Sequence, residues 1–398
     1  MYLEELELKN FRNYRTIKVE FSPQINVLIG KNAQGKTNLL EAIYVLAMAR
    51  SHRTNNDREL ICFKQKDAFL AGRVTRKLGS LPLEILLNRR GKKAKVNHLE
   101  QARLSQYIGH LNVILFAPED LLLVKGSPTV RRRFIDMEFG QIDPRYLYNL
   151  TQYRAILKQR NNYLKQLQQK KANDLMYLEV LSEQLATFGG AIIVKRLEFL
   201  AELERYAKEI HAQITQGNEN LSFKYESSLK EDLKSTENEI IADLKKGFAN
   251  LQPKEIFQGT TLLGPHRDDV VFEIDQKNVQ IYGSQGQQRT TALSVKLAEI
   301  ELMKIQTGEY PILLLDDVLS ELDGTRQTHL LKAIQGKVQT FLTTPGLSEI
   351  TQKLIKEPKI FHIEAGTISE NSTQNENHIA WDSAKNDQVI TFYPKTEK

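Results

Sequence analysis

Hydrophobic and polar residues alternate at the start of the chain. Residues 2–9 place Leu6 and Leu8 on one face, and Ile17, Val19 and Phe21 alternate with Lys18 and Glu20. Two strands are therefore predicted around the polar turn Asn10-Phe11-Arg12-Asn13-Tyr14. Ile25-Asn26-Val27-Leu28-Ile29 is a short apolar run, as expected of a buried parallel strand, and the first two strands are expected to join it as one mixed sheet edge. Leu39, Leu40, Ile43, Leu46 and Ala47 then recur at helical spacing. Further strand-like runs lie at Ala68–Val74, Leu81–Leu87 and Val113–Phe116.

The period is helical from about residue 144 to 250. Tyr146, Leu150, Tyr153, Leu157, Leu164 and Leu167 form a near-heptad stripe, and Leu178, Leu181, Leu185, Phe188, Ile192 and Leu197 form another that continues to Ile210. The pair Gly189-Gly190 is expected to weaken or bend the second helix. A strand at Leu221–Tyr225 and a charged helix at Thr236–Phe248 complete a helical insertion. Strands return at Thr260–Leu263 and Val270–Ile274, then a helix carrying Leu293, Leu297, Ile300 and Ile305. Next come the buried run Pro311–Leu315, a helix over 325–334 and a strand at Val338–Leu342.

Composition sharpens this only locally. The chain has 398 residues, a net charge of +6 and a pI near 9.0, which allow nucleic-acid binding without requiring it. From Pro144 to Asn173 there are seven Lys/Arg and no Asp or Glu. That favours a cationic helix face suited to phosphate backbones, with Lys158, Arg160 and Lys165 as candidate contacts. Arg131-Arg132-Arg133 point around most of a helix circumference, so one or two, Arg131 and Arg132 among them, would meet DNA phosphates or pair with Asp136 and Glu138. Five cations surround Gly91 between Asn88 and Val96, as in a basic hairpin tip that is either solvated or a backbone contact. The single cysteine, Cys62, excludes an internal disulfide framework. No secretory signal and no apolar run of membrane length is present, and a cytoplasmic location is expected.

The candidate chemistry begins at Gly30-Lys31-Asn32-Ala33-Gln34-Gly35-Lys36-Thr37, which fits G-x-x-x-x-G-K-[ST] between a strand and a helix. Backbone N–H groups and a helix N-terminus would cradle phosphates there. Lys36 would reach the β- and γ-phosphates, and the Thr37 hydroxyl would hold Mg²⁺. Arg12 and Asn13 are close enough in sequence to this sheet to reach a nucleotide. Far downstream, the run Pro311–Leu315 ends in Asp316-Asp317. Asp316 suits a metal-holding carboxylate opposite Thr37, and Asp317 one that orients or deprotonates water. Ser284-Gln285-Gly286-Gln287 opens a helix, with Ser284 as a natural N-cap and Gly286 allowing close approach of an anion. Ser320-Glu321-Leu322-Asp323 follows the acids.

In this order the parts resemble the ABC-type ATPase heads of the SMC-like family: Walker A, signature, Walker B, D-loop and a late switch strand. Within that family, Leu8–Tyr14, Ser51-His52-Arg53-Thr54, Leu123–Pro128 with Arg131–Phe134, Gly264–Asp269 and Ser284–Gln288 are similar to the bacterial RecF recombination mediators, over about residues 1–365. The resemblance implies an α/β fold: an ABC-type (SMC-like) P-loop ATPase head with a mixed sheet at 1–116 and 259–365, and an inserted, mostly helical second lobe at 117–258. Residues 366–398 lie beyond it as a polar tail, expected to be disordered, although Val389–Tyr393 has the pattern of a strand. It further implies that Ser284, Gln285, Gly286 and Gln287 of one protomer contact the ATP held by Lys36 of another, that Asp323 approaches the partner's site, and that ATP closes a homodimer on DNA. Partners by this resemblance are RecR and RecO, and the roles are recombinase loading at gapped DNA, maintenance of replication and induction of the SOS response.

Three departures qualify the match. Asp317 stands where ABC ATPases usually carry Glu, which predicts a weak, slow, DNA-dependent ATPase. Thr343-Thr344 occupy the switch position that often holds His, and no Q-loop glutamine is assigned near Pro118-Glu119. An ABC-transporter ATPase subunit is the alternative reading, disfavoured by the basic lobe and the missing Q-loop features. A P-loop phosphotransferase would leave the signature and D-loop redundant.

Overall fold

The computed structural model describes residues 1–229, 236–346, 355 and 357–370. The expected strand at Val389–Tyr393 and the rest of the tail from 371 lie outside the described residues. The N-terminal strands β1 (Tyr2–Phe11) and β2 (Tyr14–Glu20) do not join β3 (Ile25–Ile29) in one sheet. They pair with β4 (Asp67–Arg76), β5 (Gly79–Asn88), β6 (Gly91–Val96) and β7 (Leu99–Glu100) in an antiparallel sheet ordered β2-β1-β4-β5-β6-β7. This sheet covers α1 (Lys36–Met48), in which every residue from Leu39 to Met48 is buried. A helix that is apolar all round needs cover all round. β3 and its neighbours supply the other wall, so Leu28, Phe341, Ile312 and Leu314 share one core with Leu3, Leu6, Leu70 and Ile85.

After β8 (Val113–Phe116) the chain enters the helical lobe: α2 (Leu121–Lys125), α3 (Pro128–Ile142), α4 (Pro144–Gln168), α5 (Leu175–Thr215), β9 (Leu221–Glu226) and α6 (Glu237–Gln258). Gly189-Gly190 does not interrupt α5, which runs unbroken for 41 residues. The pair serves packing instead: a Cβ at Gly190 would lie 2.5 Å from Cγ1 of Ile241, so α6 could not approach as closely. The lobe also extends past the expected boundary at 259. β10 (Asp269–Ile274) pairs with β9 and β11 (Lys277–Asn278) in a separate three-stranded sheet, and its Val270, Phe272 and Ile274 belong to the lobe's core.

The chain returns through α7 (Val279–Tyr282) and α8 (Gln285–Thr307) to β12 (Ile312–Asp316), α9 (Gly324–Ile334), β13 (Thr340–Thr344), β14 (Lys359–Glu364) and β15 (Thr367–Glu370). α8 joins the two halves, with Leu293, Leu297 and Ile300 on the sheet side and Val295, Ala298 and Leu302 on the lobe side. The second six-stranded sheet is ordered β15-β14-β3-β13-β12-β8 and is parallel except for β15. Because five strands run the same way, the loops after β3, β8, β12, β13 and β14 open on one edge, where open α/β sheets bind ligands. The head therefore reaches Glu370 rather than ending at 365.

Candidate nucleotide-binding site

The phosphate loop links β3 to α1 and depends on two unusual backbone conformations, Ala33 at φ 65° and Gly35 at φ 122°. Gly35 has no room for a side chain: a Cβ there would lie 2.6 Å from the Asn13 amide nitrogen. Gly35 precedes α1 without any side-chain cap, and no acid occupies the first turn, so the first-turn N–H groups are left to an anion. Lys36 Nζ donates to the Gly30 carbonyl at 2.5 Å and the Lys31 carbonyl at 3.0 Å, so the ammonium lies across the loop. Burial lowers its pKa from the usual lysine value, partly offset by Asp317 and Asp316.

The loop's tip is held from both ends of the chain. Asn13 Nδ2 donates to the Gln34 carbonyl at 3.0 Å, Ala365 N donates to Gln34 Oε1 at 2.7 Å, and Gly366 N donates to the Gln34 carbonyl at 3.1 Å. Asn13 thus adjoins the loop. Arg12 does not point at a nucleotide: its guanidinium grips Glu41 through two bonds, at 2.8 and 2.7 Å, and donates to the Glu59 carbonyl. Glu41 is fully buried and also accepts from Ser51 and Arg53, and these donors hold its pKa below the ordinary glutamate value against the cost of burial. Sequence reasoning passed over Glu41, although a carboxylate set among Leu39, Leu40, Ala42 and Ile43 is itself a signal that cations must come to it.

The register of the parallel sheet brings the acids to the loop. Asp316 pairs with Thr343 across β12 and β13. Asp316 Oδ1 accepts from Thr37 Oγ1 at 3.0 Å and from Thr343 Oγ1 at 2.9 Å. Thr343, marked in the sequence only as a missing histidine, thus orients the carboxylate. Its hydroxyl also accepts from the Asp317 N–H at 2.9 Å, which fixes Asp317 at φ 54° with its carboxylate exposed. Thr37 and Asp316 offer two oxygen donors, a set that fits a Mg²⁺ ion completed by phosphate and water. Among the described residues, no cluster of three or more His, Cys, Asp or Glu suits a metal. Glu119 occupies the exposed turn after β8 on the same sheet edge.

Ser284 caps α8 reciprocally with Gln287: its Oγ accepts from the Gln287 N–H and its N–H donates to Gln287 Oε1. Ser284 and Gln285 are exposed, and Gln287 Nε2 donates to Glu219. Arg326 joins this turn to the D-loop, donating to the Gly286 carbonyl and Thr290 Oγ1 while pairing with Asp323, the N-cap of α9.

The basic candidates divide. Lys158 and Lys165 lie exposed on α4. Arg160 is turned inward, with Glu255 at 2.6 Å, Thr261 and Ser182 as acceptors and the Phe248 ring below it. Arg131 is likewise buried, in a two-bond pair with Asp269. Neither can meet DNA from these positions, because a paired, desolvated guanidinium has no free donor face. Arg132 donates to the Asp268 carbonyl and Thr129 beside a solvent cavity. On the β5–β6 hairpin, Lys92, Lys93 and Lys95 pair with Asp57, Glu100 and Glu84.

Residues 2–368 match the family model described as the RecF/RecN/SMC N terminal domain. The chain is 69% identical over 373 residues to the DNA replication and repair protein RecF of Ligilactobacillus salivarius (strain UCC118), covering 94% of this chain and 98% of that one. It is 57% identical over 377 residues to the protein of the same name from Enterococcus faecalis (strain ATCC 700802 / V583), covering 94% and 100%. A solved structure of the recombination mediator protein RecF-ATP in the RecFOR pathway superposes with a TM-score of 0.86 at 34% identity, over 93% of this chain and 98% of that chain. An Smc head bound to the C-winged helix domain of ScpA, at 17% identity and a TM-score of 0.54 over 94% of this chain and 98% of that one, shares the fold.

Proposed function

The chain belongs to the RecF/RecN/SMC N-terminal domain family and, within it, to the RecF DNA replication and repair proteins, and from that membership we propose an ATP-gated clamp on DNA. The backbone of Gly30–Thr37 and Lys36 hold the β- and γ-phosphates, Thr37 and Asp316 hold Mg²⁺, and Asp317 orients the attacking water. The metal, when bound, neutralises charge developing on the phosphates. Ser284 and Gly286 of a second protomer complete the site, and Asp323 approaches with them. Binding ATP closes the homodimer around DNA, and slow, DNA-stimulated hydrolysis opens it. In this role the protein prepares gapped DNA for recombinase loading with RecR and RecO, and supports SOS induction.

One observation carries this reading: the signature turn is exposed and its own hydrogen bonds run to Glu219 and Arg326, which leaves Ser284 facing outward to meet another molecule. The transporter-subunit reading is not favoured, since the relatives are DNA replication and repair proteins. Sedimentation with and without ATP and gapped DNA is the test. ATP-dependent dimers that retain DNA are expected; Lys36→Arg and Ser284→Arg proteins that dimerise as the parent does would sink the sandwich.

A further inference from the structure

Between the head and the helical lobe lies a cavity of ≈ 480 Å³ that the nucleotide site does not use. Five arginines line it, Arg50, Arg132, Arg133, Arg154 and Arg196, against one carboxylate, Asp136. Asp136 is already held by Arg154, Arg196 and Tyr146. Arg50 follows Ala49, whose left-handed turn ends α1, and enters the cavity from the head; Arg133 enters from α3. Among the described residues, neither guanidinium makes a hydrogen bond or an ion pair. Arg50 is half-buried, and burial, then Arg133 and Arg154, lower its affinity for the proton. Arg50 and Arg133 thus bring two unpaired like charges to the rim of one cavity, and an anion between them would relieve their repulsion.

From Arg154 at the cavity, exposed cations continue along α4. Arg154, Lys158 and Lys165 are all exposed, and at 100° per residue they fall within about 40° of one another on the helix. The stripe is about 16 Å long at ~1.5 Å per residue, matching the axial rise of about five base pairs of duplex at ~3.4 Å each. A free phosphate needs no such track.

We propose that the cleft between the head and the helical lobe seats the phosphodiester backbone of one DNA strand, with Arg50 and Arg133 taking its phosphates and Arg154, Lys158 and Lys165 leading the strand along α4. This assignment rests on the DNA-clamp reading above and gives it a location. It also replaces Arg131 and Arg160 as DNA contacts.

The test is fluorescence anisotropy of the full-length protein with labelled gapped DNA, across a salt series, in ATP. If the parent fails to bind DNA, the clamp reading itself is wrong. If the parent binds, Arg50→Gln/Arg133→Gln should flatten the dependence of log K on log[salt] by about 0.7–0.9 per arginine lost. Arg50→Lys, which keeps the charge, should hold the parent's slope. An unchanged slope in the double variant overturns the proposal. So does an equal loss from Arg89→Gln/Arg90→Gln on the β5–β6 turn, which would assign the effect to net charge. Tripolyphosphate is the competing probe: if the double variant loses tripolyphosphate binding but keeps DNA binding, the cleft is a small-anion site instead.

Discussion

The Thr37 hydroxyl donates to Asp316 Oδ1 at 3.0 Å, across 279 residues of sequence. The same oxygen accepts from Thr343 at 2.9 Å, so when Thr37 turns to a metal the carboxylate still has one fixed donor. A donor that bonds a metal-holding carboxylate in this way sets its orientation, and losing such a donor typically costs about 10–100-fold in metal affinity or activity. Thr343→Val should therefore raise the Mg²⁺ concentration needed for half-maximal ATP hydrolysis by about 10-fold or more. Asp316→Asn should abolish the Mg²⁺ response. A Thr343→Val protein with the parent's Mg²⁺ curve would remove Thr343 from the site.

Ser284 faces solvent and Lys36 lies across its own phosphate loop, so in a sandwich the two act on the same nucleotide only from different protomers. Lys36→Arg and Ser284→Arg proteins should each be inactive alone. Mixed, they form heterodimers in which one site is intact and the other carries both changes, so hydrolysis should return. Steady-state ATPase of the mixture against each parent variant reads this, and no recovery at any mixing ratio would place both residues at one site in cis.

Arg160 and Glu255 form a fully buried ion pair. Removing one partner leaves an uncompensated charge, so Glu255→Gln should destabilise the helical lobe by about 3–5 kcal/mol. Arg160→Met/Glu255→Leu should recover most of that. Urea denaturation followed by circular dichroism measures both, and a neutral Glu255→Gln would show that the pair is dispensable.

His266 is held at about 4 by burial, with Arg267, Arg132 and Arg160 adding to the effect and the Thr261 carbonyl opposing it. Folding lowers this value, so the unfolded chain takes up the proton first. The stability contributed is complete above about 6.5 and declines as pH falls toward 4. Glu138, raised to about 7 by burial, works in the opposite direction, its contribution fading as pH rises through that value. The difference in melting temperature between the parent and His266→Gln isolates the histidine: the parent's advantage should shrink from pH 7 to pH 5. An advantage that does not change with pH would mean that His266 titrates normally.

The phosphate loop was legible because its chemistry is local: strand, glycine turn and helix are contiguous, and Gly35 and Lys36 stand at fixed spacing. Asp316 was legible because a carboxylate ending an apolar run has few other uses. Which way each arginine points was also written in the spacing, although it was read as charge. Arg160 continues the stripe Tyr153, Ile156, Leu164, Leu167, and Arg131 stands four and eight residues before Ile135 and Phe139, so both turn inward with their helices' apolar faces. Their acids, Asp269 and Glu255, come from β10 and α6, which no local pattern brings near. The same limit explains the sheets. An alternating strand shows which face is buried but not which neighbour it joins, so β1 and β2 were placed beside β3, and β10 with the head.

Gln34, at the tip of the phosphate loop, is bonded by Ala365 across 331 residues, and by Gly366. At about 5–20 residues per second, a ribosome takes roughly 20–70 s to make the intervening chain. During that time the nascent protein carries a nucleotide loop without its clasp. Ribosome-tethered chains ending before residue 359 should retain no ATP on a filter, and release of the full chain should restore it. Retention by the shorter chains would show that the clasp is not needed. Where the clasp is required, a product of translation interrupted before Ala365 is silent, unable to compete with clasped protomers for DNA.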